Sequence, residues 1–349
     1  MLAFVPPSAI WCKNDLVSSA LESEPPPSVR LKRSSVVKGL IKTIRPHQWV
    51  KNLFVMAPMF FHKDLFGTSV GSGDPTLNLM VAGKAFAATA VFCLLAGAVY
   101  TINDLVDVEA DRIHPVKRER PIASGVVPEN MARGFAGLLV VLAFAISLGT
   151  LRLHEGTLNW AFTGVAALYF VENIAYSFKL KKVAFLDVGL ISFGFVLRVL
   201  AGGYATETKV SWYMLACTAG IALFLGFGKR RHELEGATAG KQRAALEAYT
   251  KRSLTVALAV TGIATAATYV AYTLDKDTEA FFQTDKLWLT APFTLFGIYR
   301  FLMLVSGRAG RGRKAESPTQ EMLSDVPFVL NLVIWVLIVV AIVYRLRPG

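Results

Sequence analysis

Residues 103–125 read NDLVDVEADRIHPVKRERPIASG and place acids, then bases, directly after a long apolar segment. Asp104, Asp107 and Asp111 are spaced i, i+3 and i+7, so a helix continuing from that segment would project all three carboxylates from one face. Asn103 joins this face through its i, i+4 spacing to Asp107. Hard oxygen ligands of this kind suit Mg²⁺. The pattern predicts a magnesium site built from Asn103 and the three aspartates, which are also the candidate catalytic residues.

The bases that follow supply the opposite charge. Lys117, Arg118 and Arg120 come within ten residues of the last aspartate. Guanidinium and ammonium groups beside a metal are a common arrangement for binding phosphate esters. We therefore interpret the whole stretch as a site for a phosphorylated substrate, with these three bases as substrate-binding residues.

Composition identifies a membrane protein. The chain has 349 residues, of which 54% are hydrophobic, and a mean hydropathy of +0.46. Its apolar runs match the roughly 20 residues that a helix needs to cross a bilayer. The net charge of +12 is carried by short loops between these runs, as the positive-inside rule expects. Nucleic-acid binding is disfavoured because the sequence contains no soluble basic domain.

The order of apolar segments predicts an all-α, polytopic protein with about nine transmembrane helices. Residues 1–35 are rich in proline and polar side chains, which favours a flexible N-terminal tail, and residues 36–349 form one integral membrane domain. The predicted spans are 46–66, 81–102, 132–151, 159–178, 184–203, 211–228, 253–274, 286–305 and 326–345.

Loop charges predict the orientation, because the basic loops all fall on one side of the membrane in this count. That side is cytoplasmic by the positive-inside rule, and residues 103–125 lie on it. Three charges fall inside spans. Glu172 and Arg300 lie at similar depths, where they either pair or line a cavity, and Arg198 near the outer end is interpreted as a snorkelling arginine.

Further basic residues lie on the cytoplasmic side. Lys229, Arg230 and Arg231 begin directly at the end of the sixth segment, and they are either a solvated positive run or a second lining of the same cavity. Other candidate substrate-binding residues come from two motifs, RPHQWVKN and YSFKLKKVAFLD. They are Lys51, Asn52, Tyr176, Lys179 and Lys182.

The pattern N-D-x-x-D-x-x-x-D followed by R-x-R-P-(x)₃-G resembles the UbiA superfamily of intramembrane prenyltransferases. The resemblance covers everything beyond the N-terminal tail and implies a UbiA-like helical bundle. It also implies that Asn103, Asp104, Asp107 and Asp111 bind Mg²⁺ and a diphosphate, and that Arg118 and Arg120 belong to the basic motif. The region around Tyr176 is similar to the family's tyrosine and lysine motif.

One departure from the family pattern bears on the substrate. Members that use a prenyl diphosphate donor usually carry a second aspartate-rich motif after the sixth helix, where this chain has KRRHELE. Together with RPHQWVKN and LRVLAGGYA, this is similar to the branch that transfers phosphoribosyl from phosphoribosyl pyrophosphate to polyprenyl (decaprenyl) phosphate. The resemblance then implies a bacterial plasma membrane enzyme that releases pyrophosphate and supplies precursors of cell-wall arabinan.

The expected division of labour follows from the two anionic ends of that donor. The aspartates would hold Mg²⁺ on the pyrophosphate, while Arg118, Arg120 and residues 229–231 would hold the remaining oxygens, including the 5-phosphate. The lipid phosphate would bind near Lys51, Lys179 or Lys182. Two alternatives stay open, namely prenyl transfer from a diphosphate to an aromatic ring and a non-catalytic lipid or anion transporter. Homo-oligomer formation also stays open.

Overall fold

The structure is a computed structural model of the chain, and it describes residues 33–61, 66–68, 75–152, 156–235, 244–306 and 322–345. Most of the predicted tail, residues 1–32, lies outside the described residues. The predicted boundary at residue 35 falls inside the first helix, Arg33–Thr43. The described chain is overwhelmingly helical, which confirms the predicted all-α class.

Every predicted apolar segment contains helix. A single short hairpin interrupts the described helices, with Phe66 opposite Leu77 in antiparallel register. The α-helices are α1 (Arg33–Thr43), α2 (Ala57–Phe61), α3 (Leu79–Val106), α4 (Val108–Ile113), α5 (Glu129–Thr150), α6 (Trp160–Phe178), α7 (Leu186–Thr206), α8 (Trp212–Glu235), α9 (Ala244–Glu247), α10 (Lys251–Thr273), α11 (Lys276–Phe282), α12 (Ala291–Val305) and α13 (Val326–Val340). The 3-10 helices are Pro46–Met56, Lys117–Glu119, Leu180–Lys182 and Lys286–Thr290, Ala341–Arg345 is a π-helical turn, and the strands are β1 (Phe66–Thr68) and β2 (Pro75–Leu77).

Seven helices in the described part of the chain are long and apolar enough to cross a bilayer. They show that the chain is an integral, multi-pass membrane protein, as predicted. The number nine is not reached by this criterion, because α6 carries Glu172 and Asn173 and the first segment is broken. The seven segments are Leu79–Val106, Glu129–Gly149, Leu186–Thr206, Trp212–Leu234, Lys251–Thr273, Lys286–Val305 and Val326–Val343.

Two hydrophobic clusters are the largest of five in the described part of the chain. The N-terminal core includes Phe92 of α3, Phe162 of α6 and Leu197 of α7, all of them buried. The C-terminal core includes Phe224 of α8 and Phe301 of α12, together with residues of α7 and α10. Helix α7 contributes to both clusters and packs against both α6 and α8. Helix α7 is therefore the element that both halves of the bundle share.

The first apolar segment is a 3-10 helix, Pro46–Met56, which we call the wall helix, followed by the short α2. Proline favours helix starts and lacks an amide hydrogen, and Pro46 and Pro58 bracket the point where one helix type gives way to the other. The wall helix crosses α7 at Gly202. A Cβ atom on Gly202 would lie 1.8 Å from the carbonyl oxygen of Val55, so only glycine permits this approach.

One prediction about charges inside spans is wrong, and one of two alternatives for another pair is excluded. Arg198 is not a snorkelling arginine, because only 7% of it is exposed and its guanidinium donates to the Asn52 side chain, the Tyr169 hydroxyl and the Gly194 carbonyl. Arg300 does not pair with Glu172. It donates two hydrogen bonds to Asp325, at 2.9 and 2.8 Å. Burial requires a polar partner, and both arginines find one on a neighbouring helix or loop.

Candidate active site

The acidic motif spans a break between two helices. Helix α3 ends at Val106, and Asp107 joins it to α4 with φ −92° and ψ 6°. The condition that one helix continues through all three aspartates is therefore not met. The i, i+3, i+7 spacing no longer places all three carboxylates on one face, and they divide into two groups with different partners.

Asp104 and Asp111 form the first group, and arginines bind both. Arg45 Nη2 donates to Asp104 Oδ1 at 2.5 Å. Arg120 Nη1 donates to the same oxygen at 3.1 Å and to Asp111 Oδ2 at 2.6 Å. The two aspartates are 3% and 2% exposed, so their charges are compensated inside the protein. Arg45 also lies over the ring of Tyr100, 5.0 Å from its centroid.

Asn103 and Asp107 form the second group, and Lys181 binds both. Lys181 Nζ lies 3.3 Å from Asn103 Oδ1 and 3.1 and 2.9 Å from the two carboxylate oxygens of Asp107. Lys181 belongs to the 3-10 helix Leu180–Lys182, between α6 and α7. The loop that follows α6 therefore closes onto the acidic motif.

The side-chain oxygens of the acidic motif are of the type that a hard divalent cation takes, although they lie in two separate groups. The ammonium of Lys181 is held by oxygens from residues spaced i, i+4, and Arg120 is held by Asp104 and Asp111, so each group of oxygens already converges on a positive charge. The described residues contain no cluster of three or more His, Cys, Asp or Glu side chains close enough to hold one ion. Amide and carboxylate oxygens are the ligands that Mg²⁺ prefers, with water and substrate phosphate completing its shell.

The remaining predicted bases surround this motif at different depths. Lys117 is half-buried and Arg118 is exposed on the 3-10 helix after α4. Lys179 and Lys182 are exposed on either side of Lys181. None of these four side chains is bonded to a described residue, so their charges are available to an anionic ligand.

Arg230 has partners within the protein. Only 2% of it is exposed, and its Nε lies 2.8 Å from Asp187 Oδ2 while Nη1 bonds to Glu233. Tyr249 donates to Asp187 Oδ1 at 2.7 Å, and burial, followed by this hydrogen bond, raises the pKa of the Tyr249 phenol. Arg230 therefore links α8 to the start of α7. Its guanidinium, which was predicted to bind phosphate, is bonded to two protein carboxylates.

The other predicted binding residues near Arg230 are Lys229, Arg231 and Tyr176. Arg231 Nη1 donates to Thr255 Oγ1 at 3.0 Å, which joins α8 to α10. Tyr176 is half-buried and lies within electrostatic range of Arg230. Lys229 is exposed near the C-terminal end of α8. The predicted cluster of residues 229–231 is thus not one solvent-exposed patch, because Arg230 is buried.

The wall helix contributes two predicted residues with different roles. Asn52 is buried and accepts a hydrogen bond from Arg198 Nε at 2.8 Å, while it donates to Cys93 Sγ at 3.3 Å. These bonds fix the wall helix against α3 and α7. Lys51 is exposed, and its ammonium lies within electrostatic range of Lys229, Arg198 and Arg45.

An apolar cavity of about 300 Å³ lies between the wall helix and the C-terminal half of the bundle. Phe54 and Ala57 contribute one side, Thr218 and Cys217 of α8 another, and Trp335 of α13 a third. Its lining is almost entirely apolar, and the residues from α8 come from the half of that helix farthest from Lys229. Such a cavity suits a hydrocarbon chain.

Sequence reasoning missed three residues that the structure places in or beside the site. Arg45 and Lys181 bind the aspartates directly, and Arg198 links the wall helix to α7. Arg45 and Lys181 lie in motifs that were identified, RPHQWVKN and YSFKLKK, one or a few residues from the candidates chosen there. Their selection requires knowledge of which side chain turns toward α3.

Acidic side chains held by bases at the end of an apolar helix, in a bundle that also contains an apolar cavity, are features of a membrane-embedded enzyme. A sequence profile of the UbiA prenyltransferase family matches residues 65–310. The chain belongs to that family, which confirms the resemblance drawn from its motifs.

Two relatives match over most of their length. A decaprenyl-phosphate phosphoribosyltransferase from Mycolicibacterium smegmatis is 38% identical over 320 residues, which cover 89% of this chain and 94% of that protein. A protein of the same name from Corynebacterium glutamicum is 33% identical, with 89% and 88% covered.

Solved structures agree on the fold. A UbiA homologue from Archaeoglobus fulgidus, bound to GPP and Mg²⁺, superposes with a TM-score of 0.60 at 15% identity, covering 87% of this chain and 99% of that one. A digeranylgeranylglyceryl phosphate synthase superposes with a TM-score of 0.59 at 17% identity, covering 89% and 99%. The predicted UbiA-like bundle is confirmed.

Proposed function

We propose that this protein transfers the 5-phosphoribosyl group from phosphoribosyl pyrophosphate to a polyprenyl phosphate of the decaprenyl type, releasing pyrophosphate. The proposal places the enzyme in a bacterial plasma membrane with its site on the cytoplasmic side, where the basic loops lie. Its product would feed the synthesis of cell-wall arabinan precursors. Two relatives named for this activity match nearly the whole chain.

The observation that carries the proposal is the acidic motif with its bases on both flanks. Arg45, Arg120 and Lys181 already compensate the aspartates, and further bases at Lys117 and Arg118 have no protein partner among the described residues. A ligand with two anionic ends accounts for this surplus better than one with a single diphosphate. Phosphoribosyl pyrophosphate is such a ligand.

Each group in the site then has a chemical role. Asn103, Asp104, Asp107 and Asp111 would hold Mg²⁺, which offsets the negative charge of a leaving pyrophosphate. Arg45 and Arg120 orient the carboxylates and add positive charge beside the leaving group. Arg118 and Lys117, with the exposed Lys179 and Lys182, bind the remaining phosphate oxygens. Arg230 is no longer included, because its guanidinium is already bonded to two carboxylates.

The transfer itself needs little from the protein beyond positioning. The bond from C1 of ribose to the pyrophosphate oxygen breaks with its electron pair leaving on pyrophosphate, and an oxygen of the lipid phosphate bonds to C1. The acceptor phosphate is ionised at neutral pH, so no general base is required. Positive charge that develops on the ribose ring favours a site in which anions are held close by. Direct displacement would invert the configuration at C1.

The decisive experiment supplies two substrate pairs to the purified protein with and without Mg²⁺. Labelled phosphoribosyl pyrophosphate with decaprenyl phosphate should give a labelled lipid and pyrophosphate only when Mg²⁺ is present. Prenyl diphosphate with an aromatic acid should give no product, and Asp107→Asn should abolish Mg²⁺-dependent turnover while the protein stays folded in detergent. Prenylation of the aromatic acid, or full activity of Asp107→Asn, would contradict the proposal or its metal assignment respectively.

A further inference from the structure

Two basic groups of different character flank the acidic motif, and only one of them adjoins the apolar cavity. We infer that Lys51 and Lys229 together bind the single phosphate of the lipid acceptor, whereas the bases after α4 bind the ribose 5-phosphate of the donor. The inference rests on the proposed function and assigns its two phosphate subsites. It depends on helix geometry, on charge and on the position of the cavity.

The wall helix aligns Lys51 with the cavity. A 3-10 helix has three residues per turn, so residues spaced i and i+3 lie directly above one another. Lys51 and Phe54 fall on one line of the wall helix, and Ala57 continues it at the start of α2. Phe54 and Ala57 both line the cavity. Lys51 therefore stands one turn beyond the apolar lining, toward the cytoplasmic end.

Helix α8 repeats this arrangement from the other side. Lys229 and Thr218 are eleven residues apart, which is about three turns, so they share a face of the helix. Thr218 lines the cavity, and Lys229 lies at the cytoplasmic end. A lipid whose tail occupies the cavity would thus bring its headgroup between two lysines that come from opposite walls.

An anion would stabilise the positive charge of Lys51. Its ammonium is within electrostatic range of Lys229, Arg198 and Arg45, and among the described residues no carboxylate is bonded to it. Asp104 compensates Arg45, but Lys51 itself has no such partner among the described residues, so these neighbouring positive charges disfavour its charged form. A phosphate monoester with oxygens for two or three donors supplies that counter-charge.

Arg45 links this subsite to the acidic motif. The same guanidinium that donates to Asp104 is an electrostatic neighbour of Lys51. An anion between the two lysines would therefore lie near Arg45, and through Arg45 near the aspartates proposed to hold the donor's pyrophosphate. This placement brings the attacking oxygen toward C1 of ribose without requiring a mobile loop.

The test uses the full-length protein in detergent and measures the Michaelis constant for each substrate separately. Lys51→Met should raise the constant for decaprenyl phosphate at least about tenfold, the value expected for one charge-assisted hydrogen bond, and leave that for phosphoribosyl pyrophosphate within about twofold. Lys51→Arg should restore the lipid constant. Lys42→Met is the matched control, because Lys42 is also an exposed lysine and lies in α1, outside the proposed subsite.

Thr218→Trp tests the path of the tail. It fills the cavity, so it should impair long prenyl phosphates more than geranyl phosphate, whereas Lys51→Met should impair both alike. A raised donor constant with an unchanged lipid constant in Lys51→Met would overturn the inference, although the proposed function would stand.

Direct binding keeps the inference testable even if the wild-type protein transfers nothing. Decaprenyl phosphate should change the fluorescence component that Trp335→Phe removes, since Trp335 lines the cavity, and Lys51→Met should weaken that response. Phosphatidylglycerol at the same concentration should not compete. Equal competition would show a groove for ordinary membrane lipid and would overturn the inference.

Discussion

Gly202 provides a direct test of how the wall helix is held against α7. Alanine at this position would place a Cβ atom 1.8 Å from the carbonyl oxygen of Val55 and 3.2 Å from Cδ of Pro58. Neither atom is the end of a flexible side chain, so the backbone itself must move. Overpacking typically costs about 1–3 kcal/mol, and a clash with backbone places Gly202→Ala at the upper end, about 3 kcal/mol.

Gly189→Ala is the matched control, because it makes the same chemical change on the same helix. No atom lies within 4 Å of a Cβ built at Gly189, and alanine gains up to about 1 kcal/mol over glycine in a helix. This gain is common to both variants, so they should differ by the cost of the clash alone, about 3 kcal/mol. At about 2 °C per kcal/mol for a large domain, Gly202→Ala should unfold about 6 °C below Gly189→Ala in detergent.

Activity offers a second measure of the same displacement. The wall helix carries Lys51 and Phe54, so moving it should raise the Michaelis constant for the lipid in whatever fraction of Gly202→Ala stays folded. Equal melting temperatures for Gly202→Ala and Gly189→Ala would refute the close crossing. An unchanged lipid constant in a destabilised Gly202→Ala would refute the link between the crossing and the lipid subsite.

Two further predictions concern charges inside the protein. Arg230→Ala should destabilise the protein by about 3–5 kcal/mol, because it leaves the buried Asp187 without its cation. Arg231→Ala is the control at the neighbouring position. Equal melting temperatures for the two variants would contradict the role assigned to Arg230. Lys181→Gln should lower the Mg²⁺ concentration for half-maximal activity by up to about fivefold, since an ion pair of this exposure contributes about 0.2–1 kcal/mol and no longer competes with the metal. A magnesium titration of activity measures this, and an unchanged or higher requirement would speak against competition.

Hydropathy predicted the helices well because each span is a continuous apolar run, and the bounds of α3, α6 and α7 fall within a few residues of the predicted ones. It failed at the first segment, where the prolines favour a 3-10 helix followed by a short α-helix. It also failed at Asp107, where helical spacing gives no sign that α3 stops and α4 begins.

Side-chain partners were harder to predict than helices. Arg198 was assigned by its depth alone, but depth does not reveal that its helix turns this face toward Asn52 and Tyr169. Arg300 bonds to Asp325, which lies one residue before the ninth predicted span. Lys181 differs from its neighbours Lys179 and Lys182 only in the direction that a 3-10 turn gives it. Tertiary packing decides each of these cases.

The shared position of α7 has a consequence for synthesis. Val188, in its first turn, belongs to the C-terminal core, while Leu197 and Ala201 belong to the N-terminal core. Once α7 has entered the bilayer, every helix of the N-terminal core is present, together with the acidic motif, Arg45 and Lys181. The ribosome then still has to deliver α8 and the helices that follow. During that interval, the nascent chain exposes the face of α7 on which the second half of the bundle assembles.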